Sequence, residues 1–104
     1  MSKPVHSYDV IESLIQEESL RIVLVDVHPE LDMMLVVLNT KAVLHQRLSA
    51  YPRLVTSDPF ALFQYELISS GTGIHWPALD EDLSLKGLLQ DTLRSVVKKD
   101  ALAA

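Results

Sequence analysis

The chain has 104 residues, no cysteine, 48% hydrophobic residues and a formal net charge of -5. Without cysteine it has no disulfide, thiolate nucleophile, zinc ribbon or iron–sulfur ligation, which fits a reducing compartment. Its 9 basic residues are dispersed among 14 acidic ones, so no concentrated positive surface is expected for nucleic acid.

The elements can be read in chain order. A first helix is expected from Tyr8 to Glu18, with Ser7 as N-cap and Val10, Ile11, Leu14 and Ile15 on one face. Leu20 to His28 reads as a strand with Ile22, Leu24 and Asp26 on one side and Val23, Val25 and Val27 on the other. Apolar residues on both sides suggest a central strand, or one covered on both faces. Pro29 to Asp32 is a turn, and Met33 to Asn39 a second strand completing an antiparallel hairpin. Lys41 to Leu48 fits a strand or a helix, and Tyr51-Pro52 stops either. Asp58-Pro59 opens a short helical segment to about Gln64. Tyr65–Ile68 and Ile74–Trp76 flank the loop Ser69–Gly73 and read as a small hairpin.

The last helix is capped by Ser84, with Leu83 placed to staple onto Leu88. Its apolar stripe is Leu85, Leu88, Leu89, Leu93, Val96 and Val97, and Lys98-Lys99 suit its C-terminal end. Gly87 inside it suggests a close backbone contact. No repeat or linker is visible, so one domain over 1–104 is expected, with 1–6 and 99–104 as frayed tails. Met1 to Ser7 has one cation and no apolar run, unlike a signal peptide. The longest apolar run, Met33 to Leu38, is far below the ~20 residues of a membrane-spanning helix. The expected location is cytoplasmic.

The segment Gly73–Ser84 concentrates the residues capable of chemistry. Asp80, Glu81 and Asp82 read as a hard-cation site or acid–base pair, or as anions beside a helix N-terminus. Consecutive carboxylates on an extended strand alternate in direction and do not converge unaided. His75 needs an orienting carboxylate, which Glu66 or the acidic trio offers, and a nucleophile, for which Ser69 and Ser70 are nearest in sequence. The plainer reading is a hydrogen-bonded structural histidine. Trp76 before Pro77 reads as a core anchor or as an exposed hot spot. Gly71-Thr72-Gly73 lacks the lysine and following helix of a phosphate loop, and His6, His28 and His45 are too scattered for metal ligation.

The run Tyr65–Ile68, Gly71–Pro77, Leu79–Ser84 and Gly87–Leu89, with Tyr51–Leu54 upstream, resembles the bacterial domain-of-unknown-function family number 2442 over residues about 20–90. The resemblance implies a compact α+β fold with a small antiparallel sheet and favours a third strand at Lys41–Leu48. It also implies a non-enzymatic protein: some members are encoded beside another small protein, in pairs that look like toxin–antitoxin modules. Phe60, Leu62 and Phe63 stand where the family has a polar helix start and offer an apolar patch for self-association.

The fold expected is α+β: a three-stranded antiparallel meander plus a short C-terminal hairpin, packed with an N-terminal and a C-terminal helix. The leading functional expectation is an interaction protein that binds a protein partner or itself, with Phe60, Phe63 and Tyr65 as partner surface. No cofactor, metal, nucleic acid or membrane is called for. The alternative is a small-molecule or metal-binding domain, a weak hydrolase, centred on His75 and the Asp80–Asp82 cluster with Glu66, and Trp76 is a further binding candidate.

Overall fold

In a computed structural model that describes residues 9–98, the chain forms two helices and two three-stranded antiparallel sheets. Helix α1 spans Val10–Glu17. Its N-cap is Asp9, whose carboxylate accepts from the Glu12 amide at 2.7 Å. Ser7 and Tyr8, expected to begin this helix, lie outside the described residues, as do the tails 1–6 and 99–104. Of the expected apolar face only Ile15 is buried, with Ile11 packed against the core; Val10 and Leu14 are exposed.

Strands β1 (Ile22–His28), β2 (Met33–Leu38) and β3 (Val43–Gln46) form the first sheet in the order β1-β2-β3. Pro29–Leu31 makes a 3-10 turn between the first two, closed by Asp32 in the left-handed region at φ 51. The ambiguous stretch is thus a strand, and its alternation buries Leu44 and Gln46. Two expectations for β1 are corrected. It is an edge strand, not the central one, because β2 lies between it and β3. Its faces also differ: Ile22 pairs with Leu38 and Leu24 with Val37, so a bulge at Val23 shifts the pleat by one residue. Ile22, Val25 and Val27 consequently share the buried face, and Leu24 and Asp26 look outward.

Between the sheets, 3-10 turns at Leu48–Ala50, Pro52–Leu54 and Pro59–Phe63 send Leu48, Leu54, Ala61 and Leu62 inward. Tyr51 anchors this stretch by donating its hydroxyl to Asp91 at 2.7 Å. Burial first, and then the Asp91 carboxylate, push that phenol well above its ordinary range.

The second sheet contains β4 (Glu66–Ile68), β5 (Gly73–Trp76) and β6 (Glu81–Ser84), with β5 central. The expected hairpin is β4–β5. Its turn places Ser69, Ser70 and Gly71 consecutively at positive φ, of 54, 57 and 91. β6 adds a third strand to the expected two-stranded hairpin. Asp80 turns the chain at φ 52, and Glu81 and Asp82 then pair with Trp76 and His75.

Helix α2 (Leu85–Lys98) follows directly; the Ser84 hydroxyl accepts from the Gly87 amide at 2.9 Å, as a cap does. A side chain at Gly87 would meet that same hydroxyl at 3.1 Å, so its close contact is with its own cap and not with another element. Only the first half of the expected stripe is used. Leu85 and Leu88 are buried, while Leu93, Val96 and Val97 are exposed. Lys98 lies in the last turn; Lys99 is outside the described residues. Lys86 ties the two helices together through Asp9 at 2.9 Å and Glu12 at 3.5 Å. One hydrophobic cluster joins both sheets and both helices, from Ile15 through Met34 and Val36 to Trp76 and Leu88.

Candidate functional site

Antiparallel register decides which side chains share a face of the second sheet. Glu66 pairs with His75, and His75 with Asp82, so the three form one row across β4, β5 and β6. His75 Nδ1 hydrogen-bonds the Asp82 carboxylate. That bond is the main cause raising the His75 pKa, with Glu66 and Asp80 adding smaller charge effects in the same direction. The orienting carboxylate looked for in sequence is therefore Asp82, with Glu66 on the other flank.

The remaining candidates go elsewhere. Asp80 points out from its turn and contacts Arg53, whose Nη1 lies 3.4 Å from the carboxylate. Ser69 and Ser70 lie beyond the Ile68–Gly73 pair, about 10 Å along the strands from His75. Among the described residues no group of His, Cys, Asp or Glu is arranged to hold a metal ion. Nor, among them, is any helix long and apolar enough to cross a membrane. The row supplies a half-exposed imidazole gripped by a carboxylate, with no nucleophile beside it.

This pair makes a prediction with a definite sign. Because the folded pKa of His75 is raised, its stabilising contribution is full below the unfolded value near 6.5 and is lost as pH rises through the folded value. Denaturant midpoints measured from about pH 5 to about pH 9 should carry this component in the parent protein. Asp82→Asn should lower the midpoint at the acid end and leave the alkaline end nearly unchanged. A uniform loss at every pH would contradict the pairing.

Trp76 faces the opposite way. It is fully buried, and its Nε1 donates to the Leu62 carbonyl at 3.1 Å. Tyr65 is half-buried and engaged within the fold. Its ring tilts against Trp76 at 6.5 Å between centroids, and its hydroxyl accepts from the Val25 amide at 3.0 Å.

Phe60 and Phe63 are different. They are 75% and 53% exposed, because Asp58 caps the turn through the Phe60 amide and directs Ala61 and Leu62 inward instead. With Pro29, Glu30 and Pro59 they line an open cavity of about 520 Å³. Pro29 and Glu30 were not among the residues singled out in sequence, since they come from the β1–β2 turn, remote along the chain. The phenylalanines themselves were legible as an apolar excess in a segment flanked by prolines.

Comparison with other proteins adds kinship without an activity. No curated protein matches the chain. A crystal structure of a protein of unknown function from Rhodospirillum rubrum superposes with a TM-score of 0.61 at 25% identity, covering 69% of this chain and 87% of that one. A solution NMR structure of an uncharacterised protein from Chromobacterium violaceum gives 0.63 at 26% identity, covering 86% of this chain and 85% of that one. Residues 23–91, most of the two sheets and the start of α2, match a family described as proteins of unknown function, and the chain belongs to that family, DUF2442.

Proposed function

We propose that the protein is a non-enzymatic binding module of the cytosol that receives an apolar segment of a protein partner in the cavity between Phe60, Phe63, Pro29 and Pro59. The observation that carries this reading is the pair of exposed phenylalanines bordering a cavity of about 520 Å³. Large aromatics held outward on rigid, proline-fixed turns lose little side-chain entropy on docking and serve well as anchors. The partner we favour is the product of an adjacent reading frame, as in a toxin–antitoxin-like pair, with this chain the partner-binding member.

The competing reading, a small-molecule or metal site on His75 with Asp80 and Asp82, has less support. His75 already bonds Asp82, and Asp80 turns toward Arg53.

The test is co-purification with the neighbour's product, followed by light scattering on the eluted complex. A stoichiometric complex is expected, and Phe60→Ser/Phe63→Ser should weaken it by about tenfold or more while leaving the melting temperature close to the parent's. A complex untouched by the double substitution, or no complex at all, would overturn the proposal.

A further inference from the structure

Among the described residues, the Phe60–Phe63 cavity has a single charged group in its lining, Glu30. Glu30 lies between Pro29 and Leu31 in the β1–β2 turn, and its side chain is 70% exposed. His28 Nδ1 stands 3.9 Å from the Glu30 carboxylate, beyond hydrogen-bond range, while His28 Nε2 bonds Asp26 at 2.9 Å. The Glu30 oxygens thus have no hydrogen-bond donor among the described residues. Phe60 and Phe63 are three positions apart in a 3-10 turn, where i and i+3 eclipse. Their side chains leave the turn on one side, about 6 Å apart along its axis.

The other charges around the mouth are mostly of the same sign. Asp58 precedes Pro59 and accepts from the Phe60 amide. Asp26 and Asp32 flank the turn that carries Glu30. The Asp32 pKa is lowered chiefly by its hydrogen bonds from Ser49 and less by the charge of Arg47. Arg53 is committed to Asp80 at 3.4 Å. Even with His28 counted as a cation beside Arg47, the four carboxylates leave the mouth negative.

We propose that the segment seated in this cavity presents an arginine, its guanidinium paired with Glu30 and its flat face against Phe60 or Phe63. This rests on the cavity being the docking site argued above, and it adds the chemistry of the occupant. A purely hydrocarbon occupant would strip water from Glu30 and return no hydrogen bond. An acidic occupant would be repelled. A lysine would match the charge, but its ammonium is a compact and strongly hydrated point. Guanidinium is less hydrated, offers a planar fork of donors to a carboxylate and stacks on aromatic faces. The net charge of -5 also draws a basic segment from a distance.

The experiment titrates the full chain with the blocked peptide acetyl-Gly-Pro-Leu-Arg-Pro-Gly-amide and its norleucine and glutamate counterparts. NMR shifts are followed up to about 5 mM peptide, a range that captures weak single contacts. The arginine peptide should move the Glu30, Phe60 and Phe63 signals and bind about three- to tenfold more tightly than the norleucine peptide. The glutamate peptide should bind most weakly. Glu30→Gln should reduce the arginine peptide to the norleucine level, and Glu30→Lys should place glutamate above arginine. Circular dichroism shows that each variant is folded. The proposal is overturned if no peptide shifts these signals, or if the arginine preference survives Glu30→Gln. Equal affinity for arginine and norleucine, abolished by Phe60→Ser/Phe63→Ser, overturns the arginine and leaves the docking site standing. Binding that the double substitution leaves in place overturns both.

Discussion

Replacing Trp76 with alanine is expected to lower the unfolding free energy by about 3–5 kcal/mol, the range seen when a large aromatic is removed from a core. Three losses combine. The indole is fully buried among residues of both sheets, so its removal leaves a void where the core cannot collapse freely. The Leu62 carbonyl loses the donor that lies 3.1 Å away. Tyr65 loses the ring it leans on. A domain of this size commonly has about 5–15 kcal/mol in total. The variant should therefore be unfolded, or nearly so, at moderate denaturant concentrations that leave the parent native. Since this is the chain's 1 tryptophan, the measurement must be circular dichroism and not intrinsic fluorescence. Trp76→Phe should cost less, because it keeps most of the volume even though it forfeits the hydrogen bond. A loss under about 1 kcal/mol for the alanine variant would contradict the anchoring role.

Tyr65 should give the next largest effect. Its hydroxyl caps the Val25 amide, a donor on the open side of an edge strand, and its ring reaches Trp76 in the other sheet. One side chain thus joins the two sheets and closes part of an edge. Tyr65→Phe leaves the ring and strands the amide, and about 1–3 kcal/mol should be lost. Tyr65→Ala removes the contact as well and should cost about 3 kcal/mol or more. Amide hydrogen exchange provides the site-specific check: the Val25 amide should exchange faster in Tyr65→Phe, with amides in α2 little changed. Unaltered protection at Val25 would mean that the hydroxyl contributes nothing there.

Much of the architecture could be read from local pattern. Both hairpins, the α2 start at Ser84 and the Asp58-Pro59 turn depend on residues close together in the chain, where alternation and capping chemistry are direct signals. Three features depend on partners and could not be read that way. The bulge at Val23 arises from register with β2, and it reverses which side of β1 Ile22 occupies. β6 begins with acidic residues of low strand propensity, and pairing with β5 overrides that preference. The outer half of the α2 stripe has apolar spacing without a neighbour to bury it. At the candidate site, a carboxylate for His75 was foreseeable. That it is Asp82 follows from the Asp80 turn, which sets the register of β6. The cavity beside Phe60 brings together segments separated by some thirty positions, a proximity no local pattern encodes.

The bulge at Val23 has a further consequence, for solubility. A straight edge strand is a template on which other chains can add indefinitely, the geometry that leads to fibres. An extra residue bends that template and increases its twist, and the Tyr65 hydroxyl occupies a donor just beyond it. Growth by strand addition is therefore obstructed along β1.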